Sequence, residues 1–314
     1  MTAKGMTRHF LTITDVSEGE LRTLMRQTVR CKRERTYGRR ALIGHTVALV
    51  FQKPSMRTRV AFEVAVLELG GSVVYLGQED IQLGQREPIK DVARVLSRYV
   101  SGMVVRTFAH RDAEEFAKYA SRPVINGLSD VVHPCQALAD LFTIEECFGR
   151  LTGVNLAYVG DGNNVLHSLV QGAAALGLPM TVATPKSFRP DASIWTTAVR
   201  QARAHGASLR WEEDPRRAVR GADVVYTDVW VSMGKEQERR KRLKVFRPYQ
   251  VNRTLLKHAA PGCRIMHCLP AHRGEEVTDD VMESPGSLAF EQAENRLHVQ
   301  KALLLFLLCG ETKT

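Results

Sequence analysis

Ser55, Arg57, Thr58 and Arg59 supply two hydroxyls and two guanidinium groups within one short stretch, Phe51-Gln-Lys-Pro-Ser-Met-Arg-Thr-Arg59. Arginine grips phosphate through two parallel N–H···O bonds, and backbone N–H groups at a helix start fill the remaining oxygens. The set therefore suits a phosphate dianion. Taken locally, two arginines at a helix start fit a solvated surface as well, so the elements around them must decide.

The stretch lies where the periodicity changes. Thr46 to Phe51 is a short apolar run rich in β-branched residues and reads as a buried strand. Beyond it, Val60, Val64 and Leu67 fall at helical spacing, as do Phe62, Val66 and Leu69, and Gly70-Gly71 supplies a stop. Strand, turn, helix aims free N–H groups and the positive end of the helix dipole at an anion.

Further strand candidates follow at Ser72–Leu76, Gly102–Arg106 and Pro123–Asn126. A second series covers Val154–Val159, Met180–Ala183, Ser208–Trp211, Asp223–Thr227 and Arg264–Cys268. Helical patterns separate them, among them a capped helix from Ser17-Glu-Gly-Glu20 to about Cys31 and one entered at Pro88 with Val92, Val95, Leu96 and Tyr99. Strands alternating with helices imply parallel sheets. At 314 residues the chain exceeds one ordinary core. The expected fold is α/β, with two doubly wound parallel-sheet domains over 1–148 and 149–289 joined by interdomain helices. A terminal helix over 290–314 is expected to pack back on the first domain.

In such sheets ligands bind at the carboxyl ends of the strands, where the remaining chemistry-bearing residues stand. Arg106 ends one strand. His133-Pro-Cys-Gln136 offers an imidazole and an amide that can polarise a planar carbonyl, although a His-Pro pair also serves as a plain turn. Gly160-Asp-Gly-Asn-Asn164 imitates a dinucleotide fingerprint without its third glycine. Asp228-Val-Trp-Val-Ser-Met-Gly234 joins a carboxylate to a small flexible loop, which suits a ligand carrying ammonium groups. Lys235 to Lys244 pairs Glu236 with Arg240 and Glu238 with Arg242 at i,i+4 and reads as a solvated hinge helix. Cys263, His267, Cys268 and His272 are a poor zinc set, because neighbouring strand residues point apart and structural zinc spacing is missing.

These motifs, in this order from Ser55 to Arg296, resemble the aspartate/ornithine carbamoyltransferase family: Ser-Met-Arg-Thr-Arg59, His-Pro-Cys-Gln136, Asn163-Asn164, Asp228 with Ser-Met-Gly234, His-Cys-Leu-Pro270 and Glu-Asn-Arg296. Met56 is a departure, since threonine is common there. The resemblance implies carbamoyl transfer from carbamoyl phosphate to L-ornithine, with no cofactor and no metal. It places Ser55, Met56 (through its backbone), Arg57, Thr58, Arg106 and Arg296 on carbamoyl phosphate, with His133 and Gln136 orienting its carbamoyl group. Cys268 and Leu269 also fall at that substrate, and Gln82 reaches it from a neighbouring subunit of a homotrimer. Asn164, Asp228, Ser232 and Met233 are assigned to ornithine. Arg57, His133, Asp228 and Cys268 are the catalytic candidates. Cysteine rather than proline after His267 favours ornithine over aspartate. Putrescine and N-acylornithine are the closest rival substrates, and a nucleotide-dependent dehydrogenase is the distant alternative.

Bulk properties narrow the field further. Charged residues make up 25% and the net charge is +10. The basic residues are dispersed without an aromatic-interleaved stripe, which argues against nucleic acid. Six scattered cysteines and no apolar leader point to a reducing, cytoplasmic setting. The longest apolar run, Ala302 to Cys309, is too short for a membrane span.

Overall fold

The computed structural model describes residues 7–232, 234 and 236–310. The chain forms two compact units, residues 1–135 with 296–314, and residues 136–295. In sequence, the chain leaves the first unit within the helix Pro134–Phe148 and returns to it within the helix Ala289–Leu308.

The first unit is built on β1 (Thr46–Phe51), β2 (Ser72–Leu76), β3 (Gly102–Arg106) and β4 (Val124–Leu128), in the order β2-β1-β3-β4. All pairs are parallel, and the register sets Phe51 opposite Arg106. β1 and β3 are central and read as unbroken apolar runs because helices cover both faces. Ala48, Val50, Met103 and Val105 pack with Val92, Phe116 and Val124 in one core. The strand order reverses between β1 and β3, so the turns following them open at the same edge.

The helix Met56–Glu68 buries Phe62, Ala65 and Val66, while Val60 and Leu67 are exposed. Its inward stripe is thus the second of the two sequence-derived rows, and the first faces outward. In the helix Ile89–Tyr99, Val92 is buried, but Val95 and Tyr99 face solvent, and Ile89 and Ala93 complete the inner face instead. Gly70 adopts φ +83°, and a Cβ there would meet the Arg39 carbonyl oxygen at 2.5 Å, which explains the glycine stop.

The second unit contains β5 (Leu156–Val159), β6 (Met180–Ala183), β7 (Leu209–Glu212), β8 (Val224–Thr227) and β9 (Arg264–His267). The parallel order is β7-β6-β5-β8-β9, so the switch point falls between β5 and β8. Tyr158 and Tyr226 stack across it with ring centroids 5.7 Å apart.

The run from Val299 to Phe306 in the last helix is buried on all sides, including Lys301. That ammonium donates to Glu68 (3.0 Å) and to the Arg35 carbonyl (2.9 Å), which is the condition under which a charged group tolerates burial. Among the described residues no helix is long and apolar enough to cross a membrane. Replacing Lys301 with Ala should destabilise the chain by about 3 kcal/mol, because Glu68 keeps only its exposed partner Arg35 and a core position is emptied. Lys301→Met, which keeps the stem, should cost less; equal urea midpoints for the two variants would show that the ion pair rather than packing sets the loss.

Candidate active site

The cradle in the first unit starts at Ser55, which caps the helix Met56–Glu68 by accepting from the Thr58 N–H (3.4 Å). Thr58 is fully buried, and its hydroxyl accepts from Arg296 (2.7 Å) and from Arg106 (3.5 Å). β1 and β3 position this meeting, since Arg106 ends β3 beside the last residue of β1. Burial, then the Arg296 and Arg57 guanidinium groups, push Arg106 down to about 10. It stays charged at neutral pH, buried among like charges, and among the described residues its Nε has no hydrogen-bond partner. A pocket that crowds buried cations in this way is complementary to an anion. Arg59 is not part of it: exposed, it pairs with Glu63 and lies 3.6 Å over the Tyr75 ring. Met56 is also exposed, so its side chain takes no place in the cradle and the departure from threonine leaves the turn intact.

His133 is buried in the same unit. Burial, then the nearby Arg296 and Arg106, hold its imidazole well below its ordinary value of 6.5. The ring is therefore neutral at physiological pH, able to donate from one nitrogen without adding a further cation. Gln82 caps a one-turn helix, Gln78–Ile81, in a left-handed conformation (φ +41°) with its side chain in solvent. Buried Gln52 ties the adjoining loop to the end of β1 by donating to the Leu83 carbonyl (3.1 Å) and accepting from the Phe108 N–H (2.9 Å).

The second unit collects carboxylates instead. Asp228, one residue past β8, accepts from the Asn163 amide (2.6 Å) and from the Cys268 thiol (3.1 Å). Burial, then Asp228 and Asp140, hold that thiol well above the usual thiol range. Cys268 is thus a neutral donor and not a thiolate nucleophile. Leu269 follows with φ +59°, a backbone state costly for a bulky residue. Its N–H donates to His267 Nδ1 (2.9 Å), so Nε2 carries the proton and donates to buried Glu276 (3.1 Å). Both His267 nitrogens are engaged. Among the described residues, donor atoms of Asp228, His267 and Cys268 come together, as do those of His272, Glu275 and Glu276, but Cys263, His267, Cys268 and His272 do not converge as a set.

The turn after β5 is built against a dinucleotide. A Cβ on Gly162 would lie 2.4 Å from the Phe188 carbonyl oxygen and from Arg189 C, so the glycine admits the protein's own backbone. Asn163 accepts from the Val165 and Leu166 N–H groups, taking the helix-end donors a pyrophosphate would need. Asn164 opens that helix, half-buried. Ser232 is half-buried, and Met233 lies outside the described residues.

Several supporting residues escaped the sequence reading. Gln136 donates to buried Asp140 (2.8 Å), which also accepts from Tyr226 (3.0 Å) and Gln292 (2.6 Å). In the sequence Asn163 stands out only as the neighbour of Asn164. Arg242, expected in solvent, is buried and paired with Asp161 (2.8 Å) and Glu238 (2.8 Å). The i,i+4 rule found Glu238, but nothing local announces Asp161.

A two-unit parallel α/β chain with a cationic cradle in one unit and buried carboxylates in the other belongs to a recognisable class. Residues 8–146 match the carbamoyl-P binding domain, and residues 152–307 the Asp/Orn binding domain, of aspartate/ornithine carbamoyltransferases. The chain is a member of this family. It is 52% identical over 305 residues to the anabolic ornithine carbamoyltransferase of Pyrococcus furiosus, covering 96% of this chain and 97% of that one. The ornithine carbamoyltransferase of Archaeoglobus fulgidus is 50% identical, with 98% and 99% covered. The solved ornithine carbamoyltransferase from Pyrococcus furiosus superposes with a TM-score of 0.94 at 52% identity, over 96% of this chain and 97% of that chain. That from Gloeobacter violaceus gives 0.87 at 47% identity, over 96% and 99%.

A neutral buried His133 makes the fold pH-sensitive. The unfolded chain takes up a proton below about 6.5 that the native chain refuses, so stability falls on acidification by up to about 1.4 kcal/mol per pH unit. His133→Gln should flatten the loss between about pH 7 and pH 5 in urea titrations, in proportion to that one proton. An unchanged slope would mean the native ring is protonated.

Proposed function

We propose that this chain transfers the carbamoyl group of carbamoyl phosphate to the side-chain amine of L-ornithine, giving L-citrulline and phosphate. The observation that carries the choice of amine is the Cys268 thiol hydrogen-bonded to Asp228 at 3.1 Å. A buried carboxylate with neutral donors around it favours a cationic amino acid over one with an extra carboxylate. The near full-length relatives are ornithine carbamoyltransferases, which supports ornithine over putrescine and N-acylornithine.

In this reading Ser55, the Met56 backbone, Arg57, Thr58, Arg106 and Arg296 bind carbamoyl phosphate, which enters first. His133 and Gln136 orient the carbamoyl group, with Cys268 and Leu269 also at this substrate. The Nε2 or Nδ1 proton of neutral His133 stabilises the carbonyl oxygen as charge grows on it. Asn164, Asp228, Ser232 and Met233 hold ornithine, and Asp228 with Cys268 orients its side-chain amine. The neutral amine attacks the carbamoyl carbon, the C–O bond to phosphate breaks, and Arg57 neutralises charge on the departing phosphate. That phosphate accepts the proton released by the amine and leaves as the dianion.

The reading includes a homotrimer with Gln82 completing the neighbouring cradle, and a cytoplasmic setting. Supporting the assembly, Met56, Val60 and Leu67 form an exposed row along one helix, and Val74 is exposed on the edge strand β2. A patch of this kind on a soluble surface favours burial against another copy.

Arg57→Ala should lower kcat by about a thousandfold while leaving the thermal unfolding curve in place. Wild-type turnover in that variant, or faster carbamoylation of putrescine or N-acetylornithine than of ornithine by the native chain, would overturn the assignment. Mixing inactive Arg57→Ala and Gln82→Ala subunits should restore activity, since some mixed sites escape both changes. No recovery after verified subunit exchange would place Gln82 outside the neighbouring site.

A further inference from the structure

Within the basic run Arg239-Arg-Lys-Arg-Leu-Lys244, only Arg242 is turned inward: Arg240, Lys241 and Lys244 are exposed, and Arg239 pairs with Glu275 at the surface. The Arg242 side chain is 3% exposed and Asp161 opposite it 6%. Its Nη1 donates to Asp161 Oδ2 (2.8 Å) and to the Trp230 carbonyl (3.0 Å), and its Nε to Glu238 (2.8 Å). The guanidinium carbon lies 4.7 Å over the Phe188 ring.

The partners are informative because of what stands beside them. Asp161 lies two residues before Asn163, whose amide holds Asp228 at 2.6 Å. Trp230 lies two residues after Asp228 and is itself buried against Phe246. One planar cation thus fixes the turn that supplies the hydrogen bond to Asp228 and also the backbone just past Asp228. Resting on the ornithine reading above, we propose that Arg242 is a positioning residue for the amine subsite: through Asp161 and the Trp230 carbonyl it sets the orientation of Asp228. Arginine is required for this because its fork serves three acceptors in fixed directions, whereas a lysine ammonium is a compact point charge on a flexible stem.

A buried pair cannot be tested by one deletion, since Asp161 left alone would destabilise any fold. The informative variant is therefore D161N/R242Q, which removes both charges, compared with R242K and with K241Q as a control at an exposed neighbour. The double variant should keep most of the thermal stability of the native chain, yet raise KM for ornithine about tenfold or more with KM for carbamoyl phosphate within about twofold. R242K should show the same split, and K241Q should leave both constants near native. Amide exchange at 161–163 and 226–230 should quicken in the double variant. A folded D161N/R242Q enzyme with the native KM for ornithine overturns the proposal, as does an equal rise in both constants. If the native chain does not carbamoylate ornithine at all, the functional reading falls by itself, and unchanged exchange at those amides then overturns the anchoring separately.

Discussion

Guanidinium groups packed together around buried Arg106 are the constraint around which the first unit is arranged. Arg106 and Arg296 converge on one buried hydroxyl, Thr58, and Arg57 stands close enough to lower Arg106 further. In water such groups repel weakly, but out of water the repulsion is larger and persists. The parallel register of β1 and β3, the Ser55 cap and the last helix all hold this unfavourable cluster in place. An anion placed among them would relieve that repulsion, because the cations are already fixed in direction. The neutrality of His133 follows from the same field, since burial and those two arginines oppose a further positive charge.

The second unit uses the same sheet topology for the opposite purpose. Both sheets reverse their strand order beside the turn that matters, between β1 and β3 in one and between β5 and β8 in the other. What differs is how the helix start is treated. Ser55 takes only the Thr58 N–H and does so weakly, which leaves the earliest helix donors for a ligand. Asn163 takes two N–H groups, and backbone from 188–190 closes over Gly162. A Gly-x-Gly turn after a strand is thereby turned from an anion site into a support for Asp228. The buried carboxylates Asp140, Asp161 and Asp228 each carry donors around them, as burial of an acid demands.

Much of the fold was legible beforehand because parallel strands buried on both faces leave short apolar runs that need no tertiary context to be noticed. Helix faces were less secure. For the helix Met56–Glu68 two apolar rows compete, and only the sheet beneath selects Phe62 and Val66 over Val60 and Leu67. The helix Ile89–Tyr99 repeats the ambiguity with Val95 and Tyr99. The candidate site was readable where a motif concentrates reactive groups within a few residues, as in Ser55–Thr58 and His133–Gln136. It was unreadable where partners are remote in sequence, as with Asp140 and Gln292 or Asp161 and Arg242.

By itself, then, the sequence determined which chemistries are present: guanidinium groups at a helix start, an imidazole and amide in one turn, a thiol after a strand, carboxylates at strand ends. Those follow from residue type and short spacing, and no fold can add or remove them. Tertiary structure decided their state. It took Arg59 out of the cradle and brought Arg296 into it, and it buried Arg242 in a run that reads as solvated. It also kept Cys268 protonated and His133 neutral. The reason is that protonation, charge pairing and burial depend on which groups meet within a few ångströms in a medium of low polarisability. Such meetings join residues that are tens to hundreds of positions apart in the chain.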